Sequence, residues 1–486
     1  MPLILPGNVA TALGGDYEVA NSLRFNDDDS AQLAITPSSD GSAEKWTLSF
    51  WMKMGGLTTD QRTVRGYAVS SGGSRSAIYF DAVDQFSVGF NPSGSSWTTC
   101  TLQDNSTNMR FRDPGAWIHF VVACDTTQGT AANRLKGYVN GVQKAFDAYP
   151  AEDMDTMYNK SGRSQYIGWR GYTTGYLDDY LAEVYWIDGT QYAASDFGEY
   201  DEDSPRIWKP KDASGLTFGT NGYYLDFENS SSLGNDAAGS NNLTVTNLVA
   251  ADQCVDTPTN NFATLNPLGF AGTRPTFSQG NLNAVCGTGV SLYSISTIGV
   301  SKGKWYVEGE IEASSADGGN YYHDFGFADR PNSAGTAFYV SAGRLFWASA
   351  VDGKLNYRTG GTTTAGLVTG VTTTDPGDFF QLYLDMDNEL MYWGRNGSLL
   401  NSAGLSFNGK ESLTGEYFFA FGDQFANGTT EYAVNFGQGS IDGAATTSYN
   451  DAKGYGNFKY DPSVTTDEGD KDFLALCTKN LADYGG

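Results

Sequence analysis

Short segments in which apolar and polar residues alternate recur along the whole chain, and clusters of Gly, Asn, Ser and Asp separate them. In residues 46–53, large apolar side chains occupy every second position. A period of two places alternate side chains on opposite faces of a β-strand, so one face of such a segment is expected to be buried. Similar runs follow at 76–80, 86–91, 97–102 and 117–125, and no helical period of matching quality interrupts them. The pattern predicts an all-β fold.

Tight turns and chain length extend this prediction. Asn140-Gly141 lies between two alternating runs, and this dipeptide readily takes the positive φ angles that a two-residue hairpin turn requires. The chain has 486 residues, of which 60 are glycine, and 14% are aromatic. A single hydrophobic core stops growing well below this length, so two or three cores are expected. We therefore expect two β-sandwiches in tandem, joined by a connector.

A change of composition predicts where the connector lies. Residues 228–262 are dominated by Asn, Ser, Gly, Thr and Ala, which form few core contacts. Strong alternation resumes in residues 302–311. We predict a β-sandwich over residues 1–205, an extended Asn/Gly/Ser-rich connector over residues 206–275, and a second β-sandwich with a C-terminal tail over residues 276–486.

Charge and targeting signals exclude several classes of protein. The formal net charge is −26, whereas nucleic-acid binding depends on Lys and Arg that displace counterions from phosphates. The N-terminus lacks a basic segment followed by an apolar run, so no signal peptide is expected. No apolar stretch approaches the roughly 18 residues of a membrane span. We predict no nucleic-acid partner, no membrane insertion, and cytosolic folding with free thiols, either buried or without a role, at Cys100, Cys124, Cys254, Cys286 and Cys477.

Four segments of the first half resemble, in order, the laminin-G-like, concanavalin A-like jelly roll. They are WTLSFWM at 46–52, WIHFVVA at 117–123, the run ending in YVNG at 135–141, and LAEV at 181–184. The resemblance covers roughly residues 20–200. It implies that the first sandwich is a concanavalin A-like jelly roll.

Four segments of the second half resemble the SPRY domain, another concanavalin A-like sandwich that is used mainly for protein recognition. They are GKWYVE at 303–308, FGFAD at 325–329, LYLDMDNELMYWGRNG at 382–397 and VNFGQ at 434–438. The resemblance implies that both sandwiches are concanavalin A-like jelly rolls.

The whole chain also resembles marine bacteriophage virion proteins that join these two folds. The segments that carry this resemblance lie at 19–26, 182–189, 256–267 and 473–481. Proteins of this group are described as tail-fibre or adhesin-like. The resemblance implies a structural protein of the virion that is assembled in the host cytoplasm. Its partners would be other virion proteins and a glycan or protein of the host surface.

Three functions remain open on these grounds. The first is a tail-associated or fibre adhesin that acts by non-covalent recognition. The second is a capsid-decorating or connecting protein that binds only other virion subunits. The third is a polysaccharide depolymerase. Because one sandwich binds a single glycan weakly, we expect a homo-oligomer, such as a trimer, in the virion.

The best enzymatic candidates are Glu308, Glu310 and Glu312, which share one face of a predicted strand. Retaining glycoside hydrolysis needs two carboxyl groups about 5 Å apart. The spacing here departs from the usual glycosidase motif, so we interpret these residues as a solvent-facing strand edge. His119 is interpreted as a structural histidine, and His323 has no plausible catalytic partners. We predict no catalytic residues and no enzymatic activity.

A calcium ion is implied by the resemblance to laminin-G-like modules, which often hold one at the sandwich rim. Asp178 and Asp179, just before the strand at residue 181, are the candidate ligands. Asp27-Asp28-Asp29 and the pair Asp153 and Asp155 also offer hard oxygen ligands, but none of these groups matches a twelve-residue calcium loop. No other cofactor is expected.

Aromatic residues in polar loops are the candidates for carbohydrate binding. Trp97 follows Gly94-Ser95-Ser96, and Tyr172 and Tyr176 lie in a Gly-Thr loop. Aromatic rings pack against the CH groups of sugars, and loops expose them. We predict that Trp97, Tyr172 and Tyr176 bind the ligand.

Overall fold

The computed structural model describes most of the chain. The described residues are 17–57, 61–68, 73–268, 274–287, 293–314, 323–329, 345–349, 354–359, 362–369, 375–410, 412, 414–423, 429–441, 444–446 and 448–485. They form two compact units. The first is Gly14–Thr259, and the second includes Asn260–Gly486.

The regular elements of the first unit are almost all antiparallel strands. Its elements are β1 (Ser22–Arg24), β2 (Gln32–Ile35), β3 (Lys45–Met54), β4 (Arg62–Ala68), β5 (Arg75–Phe80), β6 (Phe86–Asn91), β7 (Thr98–Asp104), β8 (Thr107–Asn108), β9 (Trp117–Asp125), α1 (Ala131–Arg134), β10 (Leu135–Val139), β11 (Val142–Phe146), β12 (Gln165–Ile167), β13 (Asp179–Asp188), β14 (Gly198–Tyr200), β15 (Trp208–Pro210), β16 (Tyr223–Leu225), β17 (Thr244–Thr246) and β18 (Gln253–Cys254). Single 3-10 turns lie at Ala194–Asp196 and Ala250–Asp252.

One continuous hydrogen-bonded path joins most of these strands. Its order is β17-β2-β12-β4-β5-β6-β7-β11-β10-β9-β3-β13-β1-β18, with β16 beside β13 and β8 beside β7. Apolar side chains from strands of both halves of this path, including β3, β5, β6 and β9, form one core. The expected hairpin turn is present, because Asn140 and Gly141 have φ of 46° and 78°.

The second unit consists of two main antiparallel sheets and several short ribbons. Its elements are β19 (Thr276–Ser278), β20 (Asn283–Cys286), β21 (Tyr293–Ile295), β22 (Lys304–Ser314), β23 (His323–Ala328), β24 (Leu345–Ser349), β25 (Lys354–Thr359), β26 (Thr362–Thr369), β27 (Phe379–Asp385), β28 (Leu390–Arg395), β29 (Ser398–Leu399), β30 (Leu405–Ser406), β31 (Phe418–Asp423), β32 (Thr430–Asn435), β33 (Ser440–Ile441), β34 (Ala444–Ala445), β35 (Tyr449–Asn450), β36 (Asn457–Phe458), β37 (Ser463–Thr466), β38 (Gly469–Asp472), β39 (Leu474–Ala475) and α2 (Thr478–Tyr484).

The two sheets share a core. One has the order β19-β20-β32-β22-β27-β28-β29, and the other has the order β21-β31-β23-β24-β25-β26. Side chains such as Trp305 of β22 and Phe327 of β23 meet between them. The predicted C-terminal tail belongs to this unit, because β39 pairs in parallel with β22 and Leu481 of α2 joins the core. The all-β fold class is confirmed, and helix within the described ranges is limited to short segments.

The division into units differs from the predicted boundaries at residues 205 and 275. Residues predicted as connector pair with the first sandwich: β16 lies beside β13, β17 beside β2, and β18 beside β1. The alternation of β3 predicted one solvated face, yet apart from half-buried Lys45 the strand is buried throughout. Residues such as Trp208 and Cys254 cover that second face. All five cysteines are free, as predicted, and all are buried.

Candidate functional site

The outer face of β5 and β6 carries the clearest candidate site. Ile78 belongs to the core, so Arg75, Ala77 and Tyr79, at odd offsets from it, lie on the opposite face of the strand. Ala77 is paired with Gly89 of β6. The two small residues leave space on this face between the larger side chains.

Trp97 fills part of that space. The ring lies so close to Gly89 that a Cβ atom there would be 1.8 Å from Trp97 Cζ2. The centroids of Trp97 and Tyr79 are 6.4 Å apart. The guanidinium carbon of Arg75 lies 4.6 Å from the Trp97 ring centroid, within the range of a cation–π contact. Because Trp97 is only half-buried, part of the ring reaches solvent.

Tyr172 reaches the same arginine from the loop between β12 and β13. Arg75 Nη1 donates a hydrogen bond of 2.5 Å to Tyr172 Oη. Gly171 and Gly175 have φ of 94° and 92°, a backbone conformation that favours glycine. These two glycines bend the loop back over the sheet, so Tyr172 and Trp97, far apart in sequence, share Arg75 as a neighbour.

Arg170 supplies a second guanidinium group. Its guanidinium carbon lies 4.5 Å from the Tyr172 ring centroid. Its nitrogens donate to the backbone oxygen of Tyr172 at 3.2 Å and to Thr173 Oγ1 and Thr174 Oγ1 at 3.0 and 2.9 Å. These bonds fix the arginine against the loop that carries it.

Together these side chains line a pocket of about 120 Å³. Pockets for drug-sized ligands typically measure roughly 300–1,000 Å³, so this one suits a single terminal group of a larger ligand. Aromatic faces pack against apolar CH groups, and guanidinium groups donate hydrogen bonds in a fixed fork. The lining residues are Gln61, Tyr67, Arg75, Ser76, Ala77, Tyr79, Trp97, Arg170 and Tyr172.

Tyr176, the third predicted ligand-binding residue, does not line this pocket. Its ring stacks on Trp169, with centroids 5.5 Å apart and planes at 6°. Trp169 in turn meets Tyr166 edge to face at 4.7 Å. Tyr176 therefore packs on its own loop.

Sequence reasoning missed Arg75 and Arg170. Arg75 can be recognised as an outward-facing residue only when the strand that contains Ile78 and its register are known. Arg170 precedes Tyr172 in the loop. A loop has no periodic pattern that would distinguish an arginine facing a pocket from one facing solvent.

Asp178 and Asp179 lie beside a cluster of buried charges. Arg62 Nη1 donates to Asp179 Oδ1 at 2.6 Å, and Gly55 N donates to the same oxygen at 2.9 Å. Burial, together with the neighbouring charge of Asp27, raises the pKa of Asp178 well above its usual value. Within the described ranges, no group of three or more His, Cys, Asp or Glu side chains is arranged to hold a metal ion.

This donor set does not fit calcium as arranged, because the guanidinium of Arg62 already neutralises Asp179. Calcium at Asp178 and Asp179 stays a prediction, and nothing proposed below depends on a metal.

The interpretation of Glu308 as part of a solvent-facing strand edge is wrong. Its side chain is completely buried. Oε1 accepts from Asn435 Nδ2 at 3.1 Å and from Lys459 N at 2.7 Å, while Oε2 accepts from Tyr306 Oη and Tyr460 N, both at 3.0 Å. The physical reason is that residues 457–460 pass over this face of β22 and need an acceptor for their backbone N–H groups. Glu310 and Glu312 are half-buried.

A second depression, of about 350 Å³, lies beside the short β14–β15 ribbon and is lined by residues such as Tyr138, Tyr200 and Trp208. The Trp208 indole donates to His119 Nδ1 at 3.0 Å, and His119 Nε2 bonds Ser49 Oγ at 2.8 Å. His119 is therefore a buried, hydrogen-bonded structural histidine. With its indole N–H already bonded, Trp208 offers this depression only apolar surface.

Part of the first sandwich matches a known protein family. Residues 26–188 match the family Laminin_G_3, described as the concanavalin A-like lectin/glucanases superfamily. The first sandwich has the concanavalin A-like fold. The matched residues include Trp97, Tyr172 and Arg75. No curated protein matches the chain by sequence.

Several solved structures are similar to parts of the chain. The SPRY domain of human HERC1 is 18% identical, covers 35% of this chain and 96% of its own, and gives a TM-score of 0.27. Domains LG4-5 of the mouse laminin alpha1 chain are 9% identical and cover 86% of this chain and 82% of their own, with a TM-score of 0.30. A candidate carbohydrate-binding protein from Bacteroides ovatus is 16% identical and covers 48% and 61%, with a TM-score of 0.32.

No helix within the described residues is long and apolar enough to cross a membrane.

Proposed function

We propose that this chain is a non-catalytic, carbohydrate-binding structural protein of a bacteriophage particle, either tail-associated or part of a fibre. It recognises a glycan of the host surface through the pocket between Trp97 and Tyr172. One observation carries the proposal: two aromatic residues selected from the sequence for their loop settings line one pocket and share Arg75.

The contents of the pocket favour recognition of a sugar. It combines partly exposed rings with fixed hydrogen-bond donors, and it lies on the outer face of a sandwich whose family includes lectins. A small, wet contact of this size binds weakly, so useful affinity needs several copies. A homo-oligomer such as a trimer, assembled with other virion proteins in the host cytoplasm, supplies that multiplicity.

The buried state of Glu308 supports a binding function over hydrolysis. All four of its hydrogen bonds come from the protein, so neither oxygen is directed at a substrate. A depolymerase built on β22 would need Glu308 beside a second carboxyl group in an open groove.

The distribution of exposed apolar residues favours an adhesin over a capsid-decorating protein. A subunit that binds only other subunits is expected to expose a broad apolar patch. Among the described residues, the exposed large apolar side chains are few: Val83, Val142, Tyr200, Val249, Tyr449 and Tyr484. Of these, only Tyr200 lines the apolar depression beside β14 and β15.

The proposal is tested with virions that carry Trp97→Ala or Tyr172→Ala. We expect particles to assemble normally and adsorption to host cells to fall at least tenfold, because the ring surface for the sugar is lost. Tyr176→Ala is the matched control, since it removes a tyrosine of the same loop that lies outside the pocket. Unchanged adsorption with incomplete or unstable particles would instead favour the capsid-decorating function.

A further inference from the structure

The arginines of the first sandwich differ in what neutralises them. Four of them lie against a carboxylate, whereas Arg65, Arg163 and Arg170 donate to neutral acceptors. The pairs are Arg24 with Asp252, Arg62 with Asp84 and Asp179, Arg112 with Asp84, and Arg134 with Glu152. This is expected in a chain that has 56 acidic and 30 basic residues.

Arg170 is one of the arginines with neutral acceptors, and it lines the pocket. Its acceptors are neutral: the backbone oxygen of Tyr172, the hydroxyls of Thr173 and Thr174, and the side-chain oxygen of Gln61 at 3.5 Å. No carboxylate of the described residues lies within ion-pair distance of it. Its charge is therefore balanced locally only by neutral dipoles.

Arg75 adds a second positive charge to the same pocket. It contacts the Trp97 ring and donates to the Tyr172 hydroxyl. These two partners are neutral, and the described residues that line the pocket include no carboxylate. Two guanidinium groups in one small pocket place a local positive field on a protein whose net charge is −26.

We infer that the pocket selects a sugar that carries an anionic substituent, a carboxylate or a sulfate, and that Arg170 and Arg75 bind this substituent while Trp97 packs against the ring. This inference rests on the proposed function, because it names the ligand class of the same site. Hydrogen bonds from a guanidinium to such oxyanions are about twice as strong as bonds between neutral groups, so the substituent would replace some of the neutral acceptors that Arg170 now has.

Long-range repulsion does not oppose this selection at physiological salt. The Debye length is about 8 Å at an ionic strength of 0.15 M, so the distant acidic residues are screened. The arginines of the pocket would contact the ligand directly and are screened much less.

The test is calorimetric titration of the full chain at this ionic strength with two matched pairs of oligosaccharides. One pair is a uronic-acid oligosaccharide and its carboxyl-reduced form. The other is a sulfated oligosaccharide and its desulfated form. We expect the acidic form of at least one pair to bind tenfold or more tightly than its neutral partner, and the pair that shows the preference identifies the anionic group.

Variants assign the preference to the pocket. Arg170→Gln should abolish most of it, and Arg170→Lys should retain part, because the charge is kept but the fork is lost. Arg206→Gln is the control, since it removes one exposed arginine elsewhere in the same unit. An unaltered preference in Arg170→Gln overturns the inference. Circular dichroism confirms that each variant is folded.

The outcomes separate the two proposals. If the acidic and neutral forms bind equally and Trp97→Ala abolishes both, the anionic selection is overturned and the proposed function stands. The anionic inference is also overturned if Trp97→Ala leaves binding unchanged. It is overturned as well if none of the four oligosaccharides binds. The neutral glycans of a wider panel then decide whether the proposed function fails as well.

Discussion

The indole ring of Trp97 lies against the backbone of Gly89, where no other residue type leaves room for it. A Cβ atom on Gly89 would come within 1.8 Å of the ring. The strand partner of Gly89 is Ala77, another small residue, so β5 and β6 together form a shallow depression that holds the ring. The position of Trp97, and with it one wall of the pocket, depends on this glycine.

Gly89→Ala should therefore displace Trp97 and weaken glycan binding at least tenfold. The substitution also overpacks the contact, which costs about 1–3 kcal/mol of unfolding free energy. Gly129→Ala is the control, because a Cβ atom at Gly129 meets nothing within 4 Å. Binding is measured by titration and the Trp97 environment by fluorescence. Wild-type affinity in Gly89→Ala would show that the ring position does not matter to the ligand.

Glu308→Gln should destabilise the second unit by about 1–3 kcal/mol at pH 8, because a Gln amide group would turn N–H donors toward the backbone N–H groups of Lys459 or Tyr460. Those two donors are fixed and cannot become acceptors. Exposed Asp483→Asn should change stability by less than about 0.5 kcal/mol. Urea unfolding of both variants provides the comparison. A loss of polysaccharide hydrolysis in Glu308→Gln would contradict the non-catalytic function.

Glu183 should make the free energy of unfolding fall as pH rises, which is opposite to the effect of most carboxylates. It is buried in the first sandwich and accepts from the hydroxyls of Tyr17, Tyr185 and Tyr224 at 2.7, 2.6 and 2.8 Å. Burial outweighs these bonds and raises the pKa of Glu183. The folded state then holds the proton to a higher pH than the unfolded chain does, so the contribution of Glu183 is full below about pH 4.3 and is lost as pH rises through the folded pKa.

Glu183→Gln removes this titration. The tyrosine hydroxyls can turn to accept from the new amide, so the variant should lose less unfolding free energy than the wild type between pH 4.5 and pH 7. Exposed Glu228→Gln serves as the control and should follow the wild type. Parallel curves for Glu183→Gln and the wild type would show that the pKa of Glu183 is not raised.

His119 should act in the opposite direction. Burial lowers its pKa to about 3, and the Trp208 indole can only donate, so Nδ1 is the unprotonated nitrogen and Nε2–H donates to Ser49. Its contribution to stability is present above about pH 6.5 and is lost as pH falls toward the folded pKa, with a slope of up to about 1.4 kcal/mol per pH unit. His119→Gln keeps one acceptor and one donor and should reduce this acid sensitivity. An imidazole ¹⁵N spectrum that titrates near pH 6.5 would contradict the assignment.

The strands were predictable from sequence where alternation is strong. The run at residues 117–125 coincides with β9, and the Asn140-Gly141 turn lies where the dipeptide predicted it. Both depend on interactions between near neighbours in sequence. Trp97 and Tyr172 were found as aromatic residues in polar loops, and the structure places both in one pocket.

Long-range burial was not predictable in the same way. Lys53 occupies a polar position of β3, yet it is fully buried and its Nζ lies 2.6 Å from Asp256 Oδ2. Trp117 Nε1 donates to the other oxygen of Asp256 at 2.9 Å. Asp256 lies more than two hundred residues after Lys53, so no local sequence pattern predicts this contact. The same cause hid the burial of Glu308 under Lys459 and Tyr460.

The most direct test of the account is equilibrium binding of the purified full chain to a panel of host-surface glycans, compared between the wild type, Trp97→Ala and Tyr172→Ala. The account predicts saturable binding to at least one glycan, a tenfold or greater loss in both pocket variants, and wild-type binding by Tyr176→Ala. Binding that both pocket variants retain at wild-type strength, or no binding to any glycan of the panel, would contradict the claim that this pocket recognises carbohydrate.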